Sequence, residues 1–410
     1  KYIMNLLVIS QYYYPEQFRI NDICKEWVKR GHNVTVVTGI PNYPQGKFYK
    51  GYSWFKNRKE QKDGVNIIRL PIISRGKNAI RLVLNYISFV ISGFFFAKFT
   101  RKKFDKVFIY EVSPMTQSYV GIWYAKRKKI ECNLYVMDLW PESIELATGI
   151  KNKAILNFVG KMVDKIYKQC DRIFTSSESF IKSIEKRGQP SSKLIFWPQY
   201  AETFYKPIPK EYINISEIPE NDNFKIVFAG NIGQAQGLDI LVTVAKQIKQ
   251  KKDKVEFYLI GDGRAKNLLI QEVKKENVQD IIHFIDKKPA IEIPKYYSAC
   301  DMAFLSLKDD EISNQILPAK LQSYLACGIP ILGCVDGEAK RVIEDSKAGF
   351  CVKHDSKQIT ETIEQILRMD KQDFHKMKKN AVNFFRNNYE KELLLEKMDK
   401  VIFERGNNNV

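Results

Sequence analysis

Histidine is scarce in this chain, four in 410 residues, and His32, His283, His354 and His375 stand apart from one another. There is no His-Glu-x-x-His, no Cys-x-x-Cys and no Asp-x-Asp closing a strand, so the usual sequence marks of a zinc site or a metal-chelated diphosphate are missing. Nor is there a Gly-x-Ser-x-Gly elbow of the hydrolase type. Seven cysteines, odd in number and widely spaced, fit buried thiols of a reducing compartment better than a disulfide framework. The sequons at Asn33 and Asn214 then carry no meaning. Acidic residues are outnumbered, 47 against 66 Lys and Arg, and the net charge of +19 points to an anionic lipid surface, nucleic acid or phosphorylated substrates. No Lys/Arg run carries interleaved aromatics in a short module, which argues against a nucleic-acid partner.

An apolar content of 44% in 410 residues is enough for two cores, so two domains of similar size are expected. Lys1 leads straight into an apolar strand, so a secretory leader is not expected. The most apolar segment is residues 82–99, interrupted by Asn85, Ser88, Ser92 and Gly93 and bracketed by Arg81 and by Lys98, Arg101, Lys102 and Lys103. A spanning helix wants about 20 apolar residues, and this segment is short of that. A core helix and a helix lying in a membrane interface both remain open.

Strands and helices alternate, the pattern of a parallel α/β sheet covered on both faces. Strands are expected at residues 3–9, 34–38, 67–70, 106–110, 134–137, 171–176 and 194–197. The aperiodic, proline-bearing stretch from Lys206 to Asn223 reads as a linker. Strands resume at 225–229, 255–260, 281–284, 302–305, 330–333 and 349–352. The expected domains are therefore 1–205 and 206–384. A last helical pattern at 374–403, of which about 385–405 is free to cross back to the first domain, completes the chain. Tandem doubly wound domains would set a cleft at the carboxyl ends of two sheets.

Three glycines, Gly230, Gly233 and Gly237, follow the strand at 225–229 and precede an amphipathic helix, which lets backbone N–H groups approach phosphate oxygens. Gly261-Asp262-Gly263-Arg264 follows the next strand; turn chemistry alone would also explain it. Lys320 stands at the start of the helix after Pro318-Ala319, where a cation is misplaced for the helix dipole unless an anion binds there too. Asp138 ends a strand and is followed by Trp140, Pro141 and Glu142. It could accept a hydroxyl proton or orient a sugar, or merely cap a helix. Tyr13 and Glu16 after the first strand, and Glu111 after a later one, are expected on the same rim.

Gly230-Asn231-Ile232-Gly233 running to Gly237-Leu238, Gly261-Asp262-Gly263, Tyr297 with Asp301, and Pro318-Ala319-Lys320 running to Ala326-Cys327-Gly328-Ile329-Pro330 resemble the retaining family 4 glycosyltransferases of GT-B fold. Tyr13-Tyr14-Pro15-Glu16, Gly31-His32-Asn33-Val34-Thr35 and Asp138-Leu139-Trp140-Pro141-Glu142-Ser143 are similar to the bacterial capsule and O-antigen branch that includes fucosaminyltransferases. The resemblance implies two Rossmann-like domains facing a central cleft. It implies metal-free transfer, with retention, of a sugar from UDP to a polyprenol-diphosphate-linked saccharide, at the cytoplasmic face of an anionic membrane. Gly230, Asn231, Gly233, Gln236, Gly237, Gly261, Asp262, Gly263, Arg264, Pro318, Ala319 and Ser323 would then serve the donor. Tyr13, Glu16, Glu111, Trp140 and Glu142 would serve the acceptor, and Asp138, Lys320 and Gln315 the chemistry. Family members usually carry two glutamates where this chain has Gln315 and Ser323, and a histidine where it has Met137. A non-catalytic sugar-nucleotide-binding protein and a UDP-sugar 2-epimerase of similar fold are the rival expectations.

Overall fold

The computed structural model describes residues 3–144, 152–308, 310 and 313–403. The chain divides into two units, residues 1–197 with 397–410, and residues 198–396, so the break falls at Trp197-Pro198, ahead of the proline-bearing linker.

The first unit is an eight-stranded sheet in the order β3-β4-β2-β1-β5-β6-β7-β8. Its centre is β1 (Asn5–Ile9), whose residues from Leu6 onward are buried, paired in parallel with β2 (Asn33–Gly39) and β5 (Lys106–Glu111). Such uninterrupted apolar runs are what a sheet covered on both faces requires. From β1 the chain works outward through β2 to β4 (Val65–Leu70), then returns to β5 and proceeds through β6 (Glu131–Val136), β7 (Arg172–Thr175) and β8 (Leu194–Phe196). The reversal between β1 and β5 is a topological switch point, where loops diverge and leave a crevice. Strand β3 (Lys59–Lys62) is antiparallel to β4 and lies at the edge. Its sequence, Lys-Glu-Gln-Lys, has no apolar residue to betray a strand, as suits an edge that must resist pairing with other chains.

Helices α1 (Arg19–Lys29), α2 (Ala79–Phe99), α3 (Ser118–Lys128), α4 (Lys153–Gln169) and α5 (Glu178–Lys186) cover this sheet. Helix α2 is capped by Asn78, whose side chain accepts from the Arg81 N–H, and only Asn85, Phe89, Gly93 and Ala97 of its residues are buried. It is therefore not a core helix.

The second unit has six strands in the order β11-β10-β9-β12-β13-β14, all parallel. From β9 (Phe224–Ala229) the chain steps outward through β10 (Val255–Ile260) to β11 (Ile282–Ile285) on one side, then through β12 (Met302–Ser306) and β13 (Ile331–Cys334) to β14 (Gly349–Cys351) on the other. The switch point lies between β9 and β12. Helices α6 (Ile240–Lys251), α7 (Lys266–Lys275), α8 (Ile293–Ala299), α9 (Ala319–Cys327), α10 (Gly337–Ser346) and α11 (Ser356–Leu367) alternate with the strands. The terminal helical pattern is two helices, α12 (Lys371–Asn388) and α13 (Lys391–Phe403), broken near Tyr389. The last residues of α13 belong to the first unit: Phe403 stacks on His32 at 3.7 Å and meets Trp27 edge-on, and Asp399 pairs with Arg30 at 3.1 Å.

Candidate active site

In the second unit the loop after β9 and the start of α9 meet at the switch point. Gly230 has φ +145°, and a methyl group there would overlap Lys320 Cε and lie 2.9 Å from its Nζ. A residue without a side chain is therefore what allows the Lys320 stem to cross the backbone. The Lys320 ammonium sits 4.0 Å above the centre of the Phe228 ring. Burial lowers its pKa to about 8, and among the described residues no carboxylate pairs with it. Lysines removed from water without a counter-charge are costly, so an anion arriving beside Nζ regains that cost. Pro318 precedes Ala319, the first residue of α9, and no side chain caps this helix start, whose first-turn N–H groups and dipole favour an anion.

The second glycine turn is locked to the first through backbone. Ile232 N–H donates to the Asp262 carbonyl at 2.8 Å, Gly230 N–H to Ile260 at 2.9 Å and Ala265 N–H to Ile232 at 3.0 Å. A Cβ on Gly261, φ +144°, would fall on the Gly230 carbonyl oxygen, and one on Gly263 would strike that of Ile232. Asn231 lies over both turns: Cβ atoms at Gly233 and Gly263 would be 2.7 Å from its Nδ2 and 2.8 Å from its Oδ1. Gly233 N–H donates to Gln236 Oε1 at 3.1 Å, and His354 Nε2 hydrogen-bonds the Gly237 carbonyl at 2.9 Å. Asp262 Oδ1 accepts from Gly263 N–H at 2.8 Å, so this carboxylate serves its own turn, and Arg264 beside it is exposed. Ser323 is buried and donates to the Ala319 carbonyl at 3.2 Å, one turn back along α9. Gln315 is half-buried in the single turn Ser313–Gln315 that precedes Pro318.

The first unit places its residues around the β1/β5 switch point. Asp138, just past β6, receives the Ser113 N–H and hydroxyl, both at 2.8 Å, on Oδ2. Trp140 Nε1 donates to the same Ser113 oxygen at 3.1 Å. Asp138 Oδ1 carries no bond to a described residue, so one oxygen is fixed and the other is available. Glu111, at the end of β5, is fully buried. Burial first, then the Asp138 charge, holds its carboxyl well above the ordinary carboxylate range. Glu142 is half-buried, with one carboxylate oxygen enclosed and unpartnered. Glu16 is also buried and holds two loops together: Oε1 accepts from the N–H groups of Asn42 at 2.7 Å and Tyr43 at 2.6 Å, Oε2 from Tyr13 at 3.2 Å. Burial nonetheless raises its pKa to about 7. Tyr13 is itself buried beside Cys24.

The structure thus gathers Gly230, Asn231, Gly233, Gly261, Gly263 and Lys320 in one unit, and Asp138, Trp140 and Glu111 in the other. Glu16 and Tyr13 are enclosed within the loops they organise. Among the described residues no group of His, Cys, Asp and Glu could hold a metal ion. Sequence reasoning missed Arg75 and His354. Arg75 Nη1 donates to Tyr12 Oη at 2.9 Å and its guanidinium lies 5.2 Å from the Tyr43 ring, with no carboxylate partner among the described residues. Its one local signal was its place in Ser74-Arg75-Gly76-Lys77, a turn between strand and helix. His354 had none, because only the folded chain brings it to Gly237.

Two doubly wound units with their crevices at these switch points define the GT-B fold. A crystal structure of Anabaena Alr3699/HepE in complex with UDP matches with TM-score 0.70 at 13% identity, over 98% of this chain and all (100%) of that one. More particularly, residues 210–384, which lie within the second unit, match the family Glycosyl transferases group 1. The probable glycosyltransferase WbjE of Pseudomonas aeruginosa is 25% identical over 58% of this chain and 60% of its own length. The putative colanic acid biosynthesis glycosyl transferase WcaI of Escherichia coli (strain K12) is 23% identical over 79% and 82%. The similarity is thus to glycosyltransferases, one of them named for polysaccharide biosynthesis.

Proposed function

We propose that the protein transfers a sugar, of the N-acetylated amino type, from UDP to a polyprenol-diphosphate-linked saccharide in capsule or O-antigen assembly. Transfer keeps the anomeric configuration, needs no metal, and takes place at the inner face of the plasma membrane. The observation that carries the reading is the Lys320 ammonium, with no carboxylate partner among the described residues, lying over Gly230 at the β9/β12 switch point. As the bond between the sugar C1 and the diphosphate breaks, charge grows on the leaving oxygens. Lys320 and the backbone N–H groups at the start of α9 are fixed in advance to meet it. The acceptor hydroxyl forms the new bond to C1 and gives up its proton, for which Asp138 Oδ1 is the receiving or orienting atom. Support from known proteins is the UDP bound in the Anabaena structure and the polysaccharide biosynthesis named for the Escherichia coli relative.

The test is incubation with a panel of UDP-sugars and lipid-linked saccharide, followed by analysis of both donor and lipid. The expected result is free UDP with new sugar on the lipid. A bound but unchanged donor would assign the chain to sugar-nucleotide binding alone, as the Gln315 and Ser323 positions could suggest, and an epimerised donor to the other rival.

A further inference from the structure

Helix α2 is fixed to the first unit along one side only. Its buried residues, Asn85, Phe89, Gly93 and Ala97, recur every fourth position. The polar interruptions of the apolar segment are what dock it. Asn85 Nδ2 donates to the Ile73 carbonyl at 2.6 Å and its Oδ1 accepts from Gln11 at 2.8 Å. Ser88 Oγ accepts from Ile73 N–H at 2.9 Å, and Ser92 Oγ donates to the Pro71 carbonyl at 2.5 Å. At Gly93 the absent side chain makes room for Val120 of α3.

On the opposite side Ile80, Leu84, Ile87, Ile91, Phe95 and Phe99 are exposed, from 39% for Leu84 to 74% for Ile80. At about 100° per residue these six fall within an arc of about 120°, centred across the helix from the docked stripe. A face of this size left in water is unusual for a soluble surface. Residues 76–104 contain Lys77, Arg81, Lys98, Arg101, Lys102 and Lys103 and no Asp or Glu. The cations sit at the two ends of the helix, and Arg127 closes the C-terminal end by donating to the Lys98 and Thr100 carbonyls at 2.6 and 2.7 Å. An apolar stripe with basic ends complements an anionic lipid surface, whereas a second copy of the same face would bring like charges together. By length and composition α2 could cross a membrane. Crossing would require Asn85, Ser88 and Ser92 to give up the bonds that hold the helix lengthwise to the unit.

We propose that α2 seats the protein on an anionic bilayer, lying in the plane of the interface with Ile87, Ile91 and Phe95 among the acyl chains and the terminal cations on headgroup phosphates. This deepens the lipid-linked acceptor reading, and its test needs no turnover. Full-length protein is floated with phosphatidylcholine vesicles with and without phosphatidylglycerol. The wild type should rise with the anionic vesicles. Ile87→Glu/Phe95→Glu, both at exposed positions, should lose binding by at least about tenfold with an unchanged thermal melt. Leu268→Glu, an exposed leucine of the second unit, should float as the wild type does. Should the double variant not fold, Arg101→Gln/Lys102→Gln/Lys103→Gln should cut binding to anionic vesicles by a similar factor. The proposal is overturned by a wild type that stays at the bottom of the gradient, or by charge-reversed or charge-stripped variants that float unchanged. A wild-type dimer that the double variant converts to monomer, without vesicle binding, would give the face to a second copy and also overturn it. A protein that floats but transfers no sugar sinks the proposed function and leaves the docking face standing.

Discussion

The two sheets share a doubly wound parallel core and build opposite kinds of crevice at its switch point. In the second unit the lining is backbone: glycines pressed carbonyl to Cα, N–H groups at a helix start, and the Lys320 ammonium, which has no carboxylate partner among the described residues. In the first unit the lining is side chains, and the carboxylates are already engaged, Glu16 on three N–H groups, Asp138 on Ser113, Glu111 in the dry interior. The lesson is that the same strand order supplies a place, and residue chemistry decides what the place holds. One crevice holds a buried cation over a glycine turn; the other holds Asp138, one oxygen bonded to Ser113, beside Trp140.

The largest effect expected from breaking this contrast is at Gly261. A Cβ there falls on the Gly230 carbonyl, so Gly261→Ala should destabilise the second unit by about 3 kcal/mol or more, read as a drop in the denaturation midpoint. Next is Lys320→Ala, which should leave the melt near that of the wild type and lower kcat/KM for the UDP-sugar on the order of 10³-fold. Wild-type turnover in that variant would remove Lys320 from the site. Because burial lowers the Lys320 pKa to about 8, its charge is present below that pH and lost above it. The KM for donor should accordingly rise as pH climbs through about 8, and Lys320→Arg should lack that rise. Asp138→Ala should cost on the order of 10²-fold in kcat while donor affinity by calorimetry stays unchanged. Weakened donor binding would contradict the division of labour between the crevices.

The smallest effect concerns Glu16, a group of the first unit that organises loops. Its carboxyl is raised from 4.5 to about 7 by burial, so the stability it contributes is full below pH 4.5 and is lost as pH rises through about 7. Glu16→Gln cannot titrate. The stability of the wild type relative to that variant should therefore fall between pH 4.5 and pH 7 by on the order of 3 kcal/mol, measured by urea unfolding. A constant difference would mean that the three N–H groups outweigh burial and keep the carboxylate ionised.

The strands of both sheets were legible because doubly buried strands must be apolar along their whole length, whichever residues supply the apolarity. Strand β3 was not, since an exposed antiparallel edge has no reason to be apolar. The break between α12 and α13 was hidden by a periodicity that runs on through Tyr389. Glycine turns and Lys320 were legible for a similar reason to the strands: close backbone approach admits few residue types. Arg75 and His354 act through partners far away in sequence, Tyr12 and Gly237, and no local pattern records such meetings. Polar residues in the segment 82–99 were visible as interruptions, but their purpose, bonding a helix lengthwise to segment 71–73, required the fold.

The packing of Phe403 on His32 and Trp27 has a consequence for synthesis as well as shape. The first unit is built from residues on both sides of the second in sequence, so all of residues 198–396 are translated before residues 397–403 can complete it. On the ribosome the second unit can close while the first still lacks its final helical turns. A chain that stopped before residue 397 would therefore injure the unit that was begun first.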